Sequence, residues 1–225
     1  MGSYKYFFYD MDDTLVYTKD IWTNAIIQYL KHRGLSYADA TVYKYLGKNC
    51  RDICNDITRD FQLACDENTT TCNEELRQLL QYEFDRVPPK EIPGANRFIQ
   101  TMGSYVRQFV VSGSSMYIIG KVLEEQRWRP LIEDFVSSES VSHGKPNPEI
   151  YNLLRTRLHA DPTECLIFED SPAGIEAACS AGITCVVINP KFPTAASQQI
   201  LTVAKDFDSL FEDRMFIELI MSRHQ

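Results

Sequence analysis

The chain has 225 residues, 44% of them apolar and 24% charged, the balance of a globular protein long enough for a sizeable core and too apolar for disorder. Its 31 acidic against 23 basic side chains leave a formal charge of −8, which repels polyanions and anionic lipid surfaces, so neither nucleic acid nor a membrane is an expected partner. No apolar run approaches the roughly 20 residues that span a bilayer, and the first residues lack a signal-type pattern, so the expectation is a cytoplasmic protein, taken to be a monomer.

Tyr6-Phe7-Phe8-Tyr9 is a short strand-forming run that stops at Asp10-Met11-Asp12-Asp13-Thr14, which sets three carboxylates just beyond a buried strand. From Lys19 to His32, Trp22, Ala25, Ile26, Tyr29 and Leu30 recur at helical spacing, with Gly34 as the stop. Ser36-x-x-Asp39 reads as a second helix start, with Val42, Tyr43 and Leu46 on one face and Gly47 at the end. Ile53, Ile57 and Phe61 predict a third helix, and Leu76, Leu79, Leu80 and Phe84 a fourth. No strand is predicted between Lys19 and Arg86, so residues 16–90 are read as a compact helical insert, returned by the stiff Val87-Pro88-Pro89-Lys90.

After Pro93-Gly94 the pattern alternates. Helices are predicted over Ala95 to Met102, Met116 to Arg127, Pro148 to Leu158 and Pro172 to Ala181, the last closed by Gly182. Strands are predicted at Phe109 to Val111, Phe135-Val136, Cys165 to Phe168 and Thr184 to Ile188. Strands separated by helices imply a parallel sheet covered on both faces, a Rossmann-like α/β core formed by residues 1–15 and 91–225. Such sheets bind ligands beyond the carboxyl ends of their strands. The cysteines Cys50, Cys54, Cys65, Cys72, Cys165, Cys179 and Cys185 form no CxxC pair and are read as free thiols, so the sequon at Asn68 is silent.

The polar residues that follow each apolar strand therefore meet in one cavity. They are Asp10, Asp12 and Asp13 after the first strand, Ser112 and Ser114 after Phe109-Val110-Val111, and Glu169 and Asp170 after Leu166-Ile167-Phe168. Lys145 joins them from the loop after Phe135-Val136. Carboxylates so crowded hold an anion poorly without a cation, and oxygen-only ligands favour Mg²⁺.

Four motifs in order carry a resemblance: DMDDTL at Asp10 to Leu15, VVSGSS at Val110 to Ser115, GKPNPEIY at Gly144 to Tyr151, and IFEDSPAGIEAACSAG at Ile167 to Gly182. On these the chain resembles the haloacid-dehalogenase superfamily, in the subgroup with a helical cap inserted after the first strand. The resemblance implies Asp10 as the nucleophile that forms an aspartyl-phosphate, and Asp12 as the acid and base two residues on. It implies Mg²⁺ held by Asp10, the backbone carbonyl of Asp12 and Asp170, with Glu169 a ligand or an outer partner. Ser112 and the Gly113 backbone would hold phosphoryl oxygens, and Lys145 would offset their charge. Specificity is expected from the cap at Thr18, Lys48, Asn49 and Arg51, with Lys44 a further candidate.

Position 13 is Asp where the family most often has Gly, which adds a charge near the metal. The expected activity is a Mg²⁺-dependent phosphatase acting on a small phosphorylated metabolite. A sugar phosphomutase of the β-phosphoglucomutase type is the alternative, but that group places a histidine twelve residues after the nucleophile, where this chain has Trp22. It also has Cys50 at the offset of the mutase arginine, with Arg51 one residue later. A signalling receiver domain is disfavoured by length and by the insert, and a catalytically silent binding protein by the presence of every motif acid.

Overall fold

The computed structural model describes residues 4–63, 69–189 and 198–221. A six-stranded, wholly parallel sheet forms its centre, with β1 (Tyr6–Tyr9), β2 (Arg107–Ser112), β3 (Asp134–Ser137), β4 (Cys165–Glu169), β5 (Thr184–Ile188) and β6 (Ile200–Ala204) in the order β3-β2-β1-β4-β5-β6. β1 is central, paired with β2 on one side and β4 on the other. The order reverses at β1, so the crevice beyond its carboxyl end is where such a sheet takes a ligand.

The strands are apolar on both faces because helices cover both. Along β1, Phe7 and Tyr9 point into one layer and Phe8 into the other, as the two-residue period requires. The first layer is an aromatic cluster in which Tyr9 stacks on Phe168 at 4.8 Å and Phe98 meets Phe207 at 5.0 Å between ring centroids. It is closed by α5 (Ala95–Met102), α6 (Met116–Glu125), α9 (Phe207–Glu212) and α10 (Arg214–Met221). The second layer packs Phe8, Phe109, Val111 and Ile167 under α7 (Glu149–Arg157) and α8 (Pro172–Ser180).

Between β1 and α5 lie α1 (Lys19–His32), α2 (Asp39–Tyr43), α3 (Cys50–Asp60) and α4 (Thr69–Arg86), with no strand among the described residues there. α1 packs chiefly on α4, and α3 on α4. The connections in and out of this insert run side by side, with the Tyr17 N–H donating to Lys90 O and the Ile92 N–H to Leu15 O, each at 2.8 Å.

The helix stops fall where glycine permits positive φ, at Gly34 (φ 65°) after α1 and Gly182 (φ 68°) after α8. The second helix differs from its sequence reading. It begins at Asp39 with Ala38 as N-cap, not at Ser36, and lasts five residues. Chain beyond Tyr43 turns rather than continuing the helix, so the helical spacing lapses: Tyr45 is buried and Tyr43 half exposed, with the Lys19 ammonium 4.6 Å from its ring centroid. The chain after Ile188, which carried no predicted elements, supplies β6, α9 and α10. Cys50, Cys54, Cys72, Cys165, Cys179 and Cys185 are free, while Cys65 and Asn68 lie outside the described residues.

Candidate active site

Asp10 follows the last residue of β1, where its backbone N–H donates to Phe168 O at 2.9 Å and continues the ladder one step past the strand. Its side chain is 9% exposed, and Lys145 Nζ lies 2.7 Å from Oδ1. The same ammonium donates to Glu169 Oε1 at 2.6 Å and to Val111 O at 3.2 Å, which ties the loop after β3 to the ends of β1, β2 and β4.

Burial pushes the Asp10 carboxyl up to about 8; Lys145 opposes this, while the charges of Glu169 and Asp12 add to it. Burial acts to lower the Lys145 ammonium, but the two carboxylates outweigh it and raise it. Tyr151 on α7 is likewise raised well above the ordinary phenol, by burial first and by Glu169 next.

Glu169 is fully buried, and both of its oxygens are taken. Oε1 accepts from Lys145 and from Tyr151 Oη at 2.8 Å. Oε2 accepts from the Asp170 N–H, the Ser171 N–H and Ser171 Oγ at 3.1, 3.2 and 3.1 Å. Gly174 in the first turns of α8 leaves the room for this, because a Cβ there would overlap the Glu169 carboxylate. Asp170 lies beside it and accepts from Thr14 Oγ1 at 3.3 Å. One ligand atom each from Asp10, Glu169 and Asp170 lies within 4.8 Å of the others, a set of hard oxygen donors suited to Mg²⁺ or a similar cation. Glu169 thus accepts from five protein donors.

Asp12 is held from three directions. Ser112 Oγ and Ser114 Oγ donate to Oδ2 at 2.9 and 2.8 Å, and Trp22 Nε1 donates to Oδ1 at 2.9 Å. The first two donors come from the core and the third from the insert. Ser112 is fully buried and accepts the Ser114 N–H at 2.9 Å, so its hydroxyl serves Asp12, while Gly113 beside it lines the open cavity. Asp13 adopts φ 59°, and its Oδ1 accepts the N–H groups of Thr18 and Lys19 at 3.1 and 3.2 Å. Its charge thus turns to the start of α1.

Asp10, Asp12, Asp13, Lys145 and Asp170 form the floor of a cavity of about 420 Å³. Among the cap candidates, Thr18, Lys48 and Asn49 line it, whereas Arg51 does not. Arg51 reaches across to the core instead and donates to Ser142 O at 2.6 Å and Val141 O at 3.4 Å. Lys44 pairs with Asp60, away from the cavity. His143, next to the lysine loop, is exposed and bonded to Glu149 at 3.0 Å. Thr14 and Tyr151 fell within quoted motifs without an assigned role, and only folding shows what they hold.

Residues 7–188 match the family described as haloacid dehalogenase-like hydrolase. A bifunctional riboflavin kinase/FMN phosphatase of Arabidopsis thaliana is 32% identical over 186 residues, 82% of this chain; the chain spans about half of that relative, 48%. Validoxylamine A 7'-phosphate phosphatase of Streptomyces hygroscopicus subsp. limoneus is 25% identical over 206 residues, 90% of this chain and 94% of that one. In structure, CbbY from Rhodobacter sphaeroides in complex with phosphate superposes with a TM-score of 0.78 at 19% identity, over 92% of this chain and 96% of its own, a likeness of fold. Among the described residues no helix is long and apolar enough to cross a membrane. With the family match running from Phe7 in the first strand to Ile188 at the end of the fifth, the chain belongs to the haloacid dehalogenase-like hydrolases.

Proposed function

We propose that this chain, a phosphoric monoester hydrolase, cleaves a small phosphorylated metabolite with Mg²⁺ and through a phosphorylated Asp10. The observation that carries the reading is the buried cluster in which Lys145 contacts Asp10 and Glu169 while Asp170 completes a triad of hard oxygen donors. The phosphatase names of the relatives support the reaction class.

In the first half-reaction a carboxylate oxygen of Asp10 attacks phosphorus, and the ester P–O bond breaks as Asp12 gives its proton to the departing alcohol oxygen. In the second, water attacks the phosphorus of the acyl phosphate and gives a proton to Asp12. The bond from phosphorus to Asp10 then breaks, which releases inorganic phosphate and restores both aspartates. Lys145 and the Gly113 backbone face the transferred group; Asp10, the Asp12 carbonyl and Asp170 would hold Mg²⁺, whose charge stabilises the phosphoryl oxygens when it is bound. Burial raises the Asp10 carboxyl, and Lys145 and a bound cation would both favour the carboxylate form that attacks.

Residues 16–90 serve as a cap over this chemistry, and residues 1–15 and 91–225 as the core. The paired connections at Leu15–Tyr17 and Lys90–Ile92 support that boundary. Hydrolysis is favoured over mutase chemistry by Trp22, whose indole donates to Asp12 where the mutase group has histidine.

The test is p-nitrophenyl phosphate turnover. Phosphate release that is abolished by EDTA and restored by Mg²⁺ is expected, with a 1:1 phosphoryl enzyme trapped on Asp10 by acid quench. Full activity after verified metal removal, or label on a residue other than Asp10, would sink the reading.

A further inference from the structure

The wall that faces the departing alcohol differs in character from the floor. The floor is carboxylates and lysine; the wall comes from the insert and is largely apolar, built from Trp22 on α1, Tyr43 at the end of α2 and Leu46 in the turn beyond. Polar side chains stand among them, but most are already engaged. Lys48 is paired with Asp56. Asn49 is bonded to Asp52 through both ends of its amide, with Oδ1 accepting the Asp52 N–H at 3.0 Å and Nδ2 donating to Oδ2 at 2.7 Å. Lys19 sits over the Tyr43 ring.

A polyhydroxylated alcohol entering this space would give up its hydration and find few free partners for its hydroxyls, at a cost of about 1–3 kcal/mol for each one left unpaired. A flat apolar group gains about 1.5–3 kcal/mol by burial against the same wall. One polar group is left over. Thr18 is 1% exposed and lines the cavity, and its hydroxyl has no hydrogen-bond partner among the described residues. Burying a hydroxyl unpaired is unfavourable, so a ligand group that reached it would be stabilised.

We propose that the alcohol released by this enzyme is a planar, largely apolar one, an aromatic or heteroaromatic alcohol with a single hydrogen-bonding group for Thr18, rather than a sugar or polyol. The inference rests on the phosphatase reading and adds the substrate class.

The experiment compares 3-phenylpropyl phosphate with glucitol 6-phosphate on the full chain with saturating Mg²⁺, and p-nitrophenyl phosphate, with its good leaving group, reports whether the enzyme is active. Both test substrates are primary alkyl monoesters, and the polyol is the better leaving group, so a preference for the phenyl compound cannot come from bond cleavage. The expected result is a kcat/KM about tenfold or more in favour of phenylpropyl phosphate, carried by KM. Tyr43→Ala should collapse that ratio to within about threefold, and Leu46→Ser serves if Tyr43→Ala does not fold. Equal or reversed preference with active nitrophenyl hydrolysis overturns the inference and leaves the phosphatase reading intact. A preference that neither variant alters overturns it as well, because the wall would not be the discriminator. No release from any of the three substrates overturns both.

Discussion

Trp22 Nε1 donates to Asp12 Oδ1 at 2.9 Å, and this bond joins the insert to the residue proposed to exchange protons with the substrate. The core serines on Oδ2 stand at the end of β2 and two residues beyond it, whereas Trp22 lies on α1. The insert therefore shares in the alignment of Asp12. Trp22→Phe keeps the ring and loses the donor; it should slow an alkyl phosphate about tenfold and p-nitrophenyl phosphate little, since nitrophenolate leaves without a proton. Stopped-flow phosphorylation rates on the two esters read this directly. An equal loss on both would make Trp22 a packing residue, and Asp12→Asn run alongside shows whether Asp12 itself discriminates the two.

Glu169 depends on Gly174 for its space. Gly174→Ala should destabilise the fold by about 1–3 kcal/mol and displace the carboxylate that holds Lys145, with a loss of activity on every ester. Gly120 is the contrast. It lies inside α6 with open space where a Cβ would stand, so Gly120→Ala should raise stability by about 0.5–1 kcal/mol and spare turnover. Thermal melts of the pair check both signs.

A carboxyl raised to about 8 by burial has a definite pH signature. Native Asp10 binds its proton more tightly than the unfolded chain does, so its share of the stability is whole below about pH 4 and is lost as pH rises to about 8. Asp10→Asn removes that loss. In EDTA the melting temperature of Asp10→Asn relative to the parent should thus climb from pH 4 to 8 and level off above; a difference flat with pH would contradict the burial effect. Mg²⁺ should shrink it by stabilising the parent carboxylate.

Arg51 grips the carbonyls of Val141 and Ser142, in the segment that leads to Lys145. Arg51→Ala should then lower kcat/KM by a similar factor, about three- to tenfold, on phenylpropyl, glucitol and nitrophenyl esters. A change of substrate ranking would instead return Arg51 to the specificity surface.

Much of this was legible before folding. Short aromatic and β-branched runs ending abruptly in carboxylates mark strands whose carboxyl ends share an edge, and that placed Asp10, Ser112, Glu169 and Asp170 together. The insert was harder. A helix of five residues has too little periodicity to tell Tyr43 from Tyr45, and one faces the cavity while the other is core. β6 is half exposed along its length, so its pattern did not stand out from a loop. The occupancy of Glu169 by Tyr151 and Ser171, and the turn of Arg51 toward the core, depend on distances that no spacing encodes.

The central position of β1 has a consequence in time. Tyr6 pairs with Arg107 and with Cys165, so β1 is made well before either of its partners. The insert, by contrast, packs α1 on α4 within one contiguous stretch, and its contacts can form while β4 is still unmade. Asp10 gains its last neighbours, Glu169 and Asp170, only when β4 and the residue after it have been made. A nascent chain cut short before that point carries Asp10 without the two carboxylates that stand beside it in the folded chain, so the cluster is complete only once β4 has been made.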